Sequence, residues 1–515
     1  MGKGETAGKG EVAEGVGEVG GEKRPLQLVV IGGGAAGVFG AIRAKEMAPG
    51  LEVRVVEKSQ PLGKVRISGG GRCNVTTGLA ADPIHLSSHY PRGHRELKGS
   101  FFRTHGPADT VEWFTQRGVP LKTEPDGRMF PVSDSSQSVI DCLLSQAHQL
   151  SVTISPGWPV ASITRTPAGQ FLVSSSKKTP PITNSSSSPS SATSSSTSPL
   201  SLVADFVLIA TGGSIKGHDM ASSLGHSIVP PCPSLFTFNI PDSALTALAG
   251  VSLEDVSLKL LVPSSPSSSD LSPLASTAAA TATTTTTTAA AVTATAPATA
   301  ATTSKTKSKQ RKDKEVSFTQ RGPLLFTHWG VSGPAVLKLS AWAARNLHAS
   351  AYTATLAADF TPHLSAAALL SALTAAKSSL QKKKIGTTAP VELNLPRRFW
   401  CYLLDRAAIH PDTLWAYVSK AHLLALADVI HKSELAVAGK GRFKDEFVTA
   451  GGVTLKEVNL ATMESRLVPN LYLAGEILNV DGITGGFNFQ NAWTGGYIAG
   501  TAIATVANRL HSPYP

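Results

Sequence analysis

The sequence predicts an α/β fold: a Rossmann-like domain that the chain leaves in its middle and rejoins near its C-terminal end. Three observations predict it. The segment Gly32-Gly33-Gly34-Ala35-Ala36-Gly37 lies between an apolar strand at Gln27–Ile31 and a helix over Val38–Met47. Two later apolar strands also end in small-residue turns, Leu208-Ile209-Ala210-Thr211-Gly212-Gly213 and Leu471-Tyr472-Leu473-Ala474-Gly475-Glu476. Between these two, residues 363–432 change to Ala and Leu at helical spacing, with Leu369, Leu370, Leu373, Leu403 and Leu404, and read as a helical subdomain.

The elements follow in order. Residues 1–23 are rich in Gly and Glu and lack an apolar core segment, so they read as a disordered leader, neither signal nor transit peptide. Order is expected from Arg24, with a second strand at Leu51–Glu57. Residues 80–150 read as mainly helical, with an amphipathic stretch at 108–118. Strands are expected at 151–155, at 158–174 and at Leu202–Ala210. A Ser/Pro tract at 174–200 and an Ala/Thr tract at 263–315 bury too little apolar surface to fold. Each reads as an expanded hairpin loop, the second between strands at Val256–Val262 and Leu324–Thr327, because closure entropy grows slowly with loop length. From Phe447 the chain returns to short strands, a Gly-rich loop and a last helix at 488–509.

Composition narrows the class. A chain of 515 residues predicts two to four domains, and 42% hydrophobic residues suffice for a large core. Charged residues make up 16%, below the roughly 25% usual in globular chains, because low-complexity tracts dilute them. The net charge of +11 comes from 47 basic and 36 acidic residues, with local runs at Lys305–Lys314 and Lys382–Lys384. Such runs beside low-complexity sequence read as solvated tails rather than a nucleic-acid face. Cys73, Cys142, Cys232 and Cys401 are scattered and form no CxxC, which argues against a disulfide framework and a structural zinc site. No metal site is expected, and the pattern suits a reducing compartment. The Ala/Thr run at 277–303 is about half Thr and contains Pro297, a poor bilayer span. A cytoplasmic protein is expected, with an organelle left open. Its partner is expected to be a small molecule, neither nucleic acid nor membrane, and its oligomeric state is left open.

The glycine motif carries the first chemistry. Gly32 permits a tight turn, Gly34 lets backbone approach a pyrophosphate, and Gly37 lets helix pack on strand. The Ala35 and Ala36 amides at the helix start then face phosphate charge. Glu57, with Lys58 beside it, ends the second strand twenty residues after Gly37. A carboxylate there accepts from ribose hydroxyls and disfavours a 2′-phosphate, so FAD or NAD is expected before NADP. The later crossings favour FAD. Thr211 and Gly212 give a second backbone crossing beside the dinucleotide. Gly475, Glu476, Asp481, Gly486 and Asn488 lead into the last helix. A flavin needs a second helix N-terminus where negative charge gathers on reduction. No second strand–GxGxxG–helix unit follows; Gly439-Lys440-Gly441 lacks its third glycine. If NAD(P)H is the reductant, it docks transiently.

At this point the residues resemble the bacterial YhiN-like flavoproteins, also called BaiN-type or aminoacetone-oxidase-type FAD-binding enzymes. The resemblance rests on VVIGGGAAG (29–37), GKVRISGGGRCNVTTG (63–78), IATGG (209–213), LLFTHWGVSGPAVL (324–337) and the long segment 448–500. Asn479 and Phe487 stand where that family usually has Asp and Tyr. The resemblance implies a glutathione-reductase-type three-layer FAD domain from 24–235 and 448–515. It also implies an inserted β-rich, barrel-like domain from 236–362 and 433–447, which holds the helical subdomain 363–432. It implies an FAD-dependent oxidoreductase that either reduces a conjugated C=C bond with NAD(P)H or oxidises a small amine with oxygen. A flavin-holding regulatory protein without turnover is the alternative of another class.

Site residues follow. Arg72 can pair with pyrophosphate or brace its own loop, and Lys64 can reach phosphate or stay solvated. Asn74 can bond flavin or substrate. Cys73 can act as a redox or acid group or simply pack. Val160 is implied by the resemblance to bond adenine through its main chain. Glu476 and Asp481 can bond ribityl hydroxyls or brace their loop. His328 is the imidazole candidate for acid–base work near the substrate, against a structural role.

Overall fold

The computed structural model describes residues 24–79, 82–178, 199–263, 315–441 and 448–511. The expected leader and most of both low-complexity tracts lie outside the described residues.

Mainly apolar strands set the centre. Gln27–Ile31, Phe206–Ile209 and Leu471–Leu473 pair in parallel, with Val30 opposite Leu208 and Val207 opposite Leu471. Their side chains are almost all buried, as expected where both faces of a parallel sheet are covered. Glu52–Val56 and Thr153–Ser155 extend the sheet on one side, and the short antiparallel strands Glu464–Ser465 and Val458–Asn459 on the other. Helix Ala35–Met47 packs against the last helix, Phe487–His511, along a seam of glycines. A Cβ on Gly40 would sit 3.0 Å from the Gly496 carbonyl oxygen, and one on Gly500 only 2.4 Å from that of Gly40. The two ends of the chain therefore meet through backbone.

Three elements depart from the sequence reading. The strand expected at 158–174 is two, Val160–Arg165 and Phe171–Lys178, turned at Thr166–Gln170. The strand expected at Leu202–Ala210 breaks at Asp205, whose carboxylate accepts from the Gln27 amide at 2.9 Å and pairs with Arg24. Pro199–Ala204 joins the antiparallel sheet of that hairpin, and only Phe206–Ile209 enters the parallel one. The stretch 80–150 holds helices Pro107–Gln116 and Ser136–Gln149, but also strands Leu121–Thr123 and Arg128–Pro131, which pair beside Thr76–Thr77.

The chain leaves along Ile228–Ser234 and returns antiparallel to it along Val448–Val453. Between them stands a closed six-stranded barrel, in the order Phe238–Asn239, Gly330–Ser332, Val316–Thr327, Ser252–Val262, Thr353–Asp359 and Ser433–Lys440. The long strands Ser252–Val262 and Val316–Thr327 pair antiparallel up to Val262 opposite Val316. Helices Ala366–Ser379, Arg397–Arg406 and Lys420–His431 fill the connection between the last two barrel strands. Barrel and helices share a second core around Phe326, Phe399, Trp400 and Trp415. Among the described residues, no helix is long and apolar enough to cross a membrane.

Candidate cofactor and active site

The first glycine turn is tight on one side and open on the other. Gly32 has φ +107°, and a Cβ there would sit 2.4 Å from the Ala210 carbonyl oxygen. A Cβ on Gly37 would sit 2.0 Å from the Gly32 carbonyl oxygen, whereas one on Gly34 would meet nothing within 4 Å. The helix that starts at Ala35 has no side-chain cap. Its first-turn amides, including those of Ala35 and Ala36, lack intrahelical acceptors and carry the positive end of the helix dipole. Glu57 sits at the same turn: Oε2 accepts from the Gly33 amide at 2.8 Å and Oε1 from the Ser59 amide at 2.9 Å. Lys58 beside it is exposed.

The other two crossings converge here. The Thr211 hydroxyl is buried without a hydrogen-bond partner. A Cβ on Gly212 (φ +61°) would lie 3.4 Å from Glu476 Oε2, and one on Gly475 (φ +78°) 3.0 Å from the Ala36 methyl. Glu476 Oε2 pairs with Lys64 at 2.7 Å, while Oε1 accepts from the Thr449 amide at 2.6 Å. Gly32, Gly34, Ala36, Lys64, Thr211, Gly212, Gly475 and Glu476 thus share one place. Bare amides, an open glycine face and an orphan hydroxyl fit a dinucleotide diphosphate. Val160 lies close by: the Trp158 amide donates to the Glu57 carbonyl at 2.8 Å, and Val160 lines a cleft of about 430 Å³ with Ser162, Lys216 and Asp219.

The segment read as a polar glycine loop begins as a helix, Gly63–Gly71, which loses helical geometry from Ser68. Gly69, Gly70, Gly71 and Cys73 all have positive φ. Arg72 donates to Glu124 at 2.6 Å, reaches Asp134 at 3.5 Å and lies over the Phe130 ring at 3.9 Å. Its charge thereby ties this loop to the carboxylates of two later segments. Asn74 accepts from the Met129 amide at 3.3 Å. Cys73 is fully buried, and burial pushes its thiol up to about 12, so it is a neutral thiol near pH 7.

The C-terminal loop is built from side chains. Asp481 is fully buried, with Arg92 donating to both carboxylate oxygens and Ser234 to one of them at 2.8 Å. Arg92 also donates to the Ala341 carbonyl of helix Pro334–Ala349 at 2.6 Å, which ties this loop to the barrel side. Asn488 accepts from the Gly482 amide at 2.8 Å and donates to its carbonyl at 2.9 Å. Gly486 (φ +90°) must be glycine, since a Cβ would lie 2.1 Å from the Thr76 carbonyl oxygen. His328 is not gathered into this group: it is exposed on the barrel turn between Val316–Thr327 and Gly330–Ser332.

Sequence reasoning missed three groups. Arg92 carried no local signal. His218, 3% exposed, has neither ring nitrogen hydrogen-bonded to a side chain, and it feels the carboxylates of Glu476 and Asp219. His105 is buried with Thr110 Oγ1 3.1 Å from Nε2, and burial lowers its pKa to about 4. Its carbonyl accepts from Gln490 at 3.2 Å and Thr494 at 2.7 Å on the last helix. Gln490 Oε1 in turn accepts from Thr76 at 2.5 Å and Thr110 at 3.0 Å.

The HI0933-like protein Rossmann domain family matches residues 26–502. The chain belongs to this family. It is the family that the sequence motifs resemble, and its members make this chain an FAD-dependent oxidoreductase with a Rossmann-type cofactor domain. A family relative, the 3-dehydro-bile acid delta(4,6)-reductase of Clostridium scindens, is 25% identical over 488 residues, covering 93% of this chain and 99% of the relative. The ribosomal RNA dihydrouridine synthase of Haemophilus influenzae is 26% identical over 487 residues, covering 92% and 98%. A solved 3-ketosteroid delta1-dehydrogenase from Sterolibacterium denitrificans, in complex with 1,4-androstadiene-3,17-dione, is 12% identical with a TM-score of 0.45, covering 93% of this chain and 99% of that one.

Proposed function

We propose that this flavoprotein reduces a C=C bond conjugated to a carbonyl in a small organic substrate, with NAD(P)H as transient hydride source. The observation that carries the reading is the meeting of three chain crossings around an uncapped helix start, an open Gly34 face and the unpartnered Thr211 hydroxyl. In this reading Gly32, Gly34 and the Ala35 and Ala36 amides hold the diphosphate, and Lys64 adds charge. Glu57 takes the adenosine ribose, and Val160 takes adenine. Glu476 turns toward the ribityl chain, beside Thr211, Gly212 and Gly475. Gly486 and Asn488 fix the second helix start. Bound flavin supplies the hydride chemistry; these groups orient it and exclude water. Substrate enters between the cofactor domain and the barrel, since pockets favour domain interfaces. His328 on the barrel turn serves as proton donor only if closure brings it inward, and Cys73 packs as a neutral thiol. The names of the two relatives support the bond type, because each denotes saturation of a ring double bond. The second of those names favours a second reading, the same reaction on a uridine in RNA.

The test is anaerobic mixing of the FAD-loaded protein with NADH or NADPH, followed by a 3-oxo-Δ4 bile acid or by uridine-containing RNA. Loss of the visible flavin absorbance, then its return with a substrate that has gained two hydrogens, is expected. No bleaching, with peroxide released from a small amine in air, would replace the reading by an amine oxidase. FAD that no donor reduces would replace it by a binding protein.

A further inference from the structure

We propose that the helical subdomain carries a docking surface for single-stranded RNA, centred on Tyr417. As an isolated run, Lys382–Lys384 reads as a solvated tail, but the structure places it on an ordered ribbon. The Ile385 amide donates to the Thr413 carbonyl at 2.8 Å, the Trp415 amide to Lys383 at 3.0 Å and the Ala416 amide to Gln381 at 3.2 Å. Trp415 is fully buried beneath, with its indole N–H on the Thr388 carbonyl at 3.3 Å. The ribbon ends on Tyr417, which is 77% exposed. A large aromatic left open on an anchored turn is a rigid stacking face.

The charges around it are mostly basic. Lys382, Lys383 and Lys384 are exposed on the facing strand of the ribbon, with Lys384 paired to Asp412 at 2.8 Å. Lys377 donates to the Val418 carbonyl at 2.6 Å, next to Tyr417, and Lys420 opens the following helix. Residues 363–432 as a whole hold nine Lys and Arg against four Asp and Glu, a net of +5. Lysines along a path with an interleaved aromatic match a phosphate backbone whose bases are free to stack. A duplex keeps its bases stacked on one another and cannot use the ring, so the geometry selects the single-stranded form. The relative named as a ribosomal RNA dihydrouridine synthase makes RNA the nucleic acid to test. The surface supplies a partner for the second reading above; its purpose rests on that reading, and the binding itself does not.

Fluorescence anisotropy of a labelled uridine-rich strand against the FAD-loaded full chain tests the surface. Tyr417→Ala is expected to weaken binding about tenfold. Lys382→Glu with Lys383→Glu is expected to lower the log–log salt slope by about 0.7 for each phosphate that is no longer neutralised. All three side chains are exposed, so melting temperature and FAD content should stay unchanged. Removal of residues 264–314, which include the other basic run, should leave the affinity in place. The proposal is overturned if the strand does not bind, if the variants bind like the parent, or if the 264–314 deletion abolishes binding. Equal binding to duplex RNA or to anionic vesicles would overturn it too. Failure to turn over any substrate while strand binding responds to Tyr417 would sink the reductase reading and leave this surface standing.

Discussion

The two glycine-rich turns that bracket the cofactor domain are made of different materials. The N-terminal one, Gly32–Gly37, is held by backbone: glycines abut carbonyl oxygens, the helix start has no side-chain cap, and a single carboxylate, Glu57, touches it. The C-terminal one, Gly482–Gly486, is held by buried side chains. Asp481 is clamped by Arg92 and Ser234, Asn488 closes on Gly482, and the Tyr90 hydroxyl donates to the Phe487 carbonyl at 2.6 Å. The difference follows from what each must do. A turn that receives a phosphate has to leave its amides bare, and any side chain would fill the space. A loop that delivers a helix start to a flat ring has to be fixed from behind. The first should therefore fail by steric intrusion and the second by loss of a polar partner.

The largest effect is expected at the second turn. Arg92→Ala leaves the Asp481 carboxylate buried and unpaired, a loss of about 3–5 kcal/mol in urea unfolding. Adding Asp481→Asn to that variant should restore part of the loss, because the penalty lies in the stranded charge. A cost of Arg92→Ala below about 1 kcal/mol would mean the clamp is dispensable and the contrast false. At the first turn, Gly37→Ala puts a methyl 2.0 Å from the Gly32 carbonyl oxygen and should cost about 3 kcal/mol with loss of FAD. Gly34→Ala sharpens the point. Its backbone, φ −82°, ψ −170°, suits any residue, and the new methyl points into open space. Stability should move by less than about 0.5 kcal/mol while FAD retention falls. Retention of FAD equal to the parent would show that the open face of Gly34 is not the phosphate seat.

Much of the first turn was legible in the sequence and little of the second was. Strand, glycines, helix and acid occupy 31 consecutive residues at 27–57, so local pattern alone places them. The family resemblance likewise rested on contiguous motifs. The Arg92–Asp481 pair spans 389 residues and leaves no periodic trace. The barrel was implied by the resemblance and not by residue pattern, for a related reason: Phe238–Asn239 and Gly330–Ser332 are too short to show an alternation. Asp205 looked like one polar residue inside a strand, and only its bond to the Gln27 amide shows that the chain changes sheets there. Arg72 had two readings, and the partner it meets in the structure, Glu124, lies 52 residues away, beyond the reach of local pattern.

The last effect depends on pH and reaches deepest into the second turn. His105 packs its ring on Tyr497 at 4.5 Å and offers its carbonyl to Gln490 and Thr494, so it supports the last helix from inside the core. Burial holds its pKa at about 4, below the ordinary 6.5. The folded protein then binds fewer protons at this site than the unfolded chain throughout that window. Stability is present in full above about 6.5 and is lost as pH falls toward 4. At about 1.4 kcal/mol per pH unit, the loss attributable to this ring by pH 5 is about 2 kcal/mol. His89 and His218 are shifted in the same direction by burial, so the parent's acid limb is not due to His105 alone. His105→Gln isolates the share, since Gln does not titrate. Urea unfolding at about pH 7.5 and about pH 5 should show the parent losing about 2 kcal/mol more than the variant between the two. Parallel losses would mean that the ring is protonated or solvated in the folded state. The second turn would then be propped less firmly than its buried network of Thr76, Thr110, Gln490 and Thr494 implies.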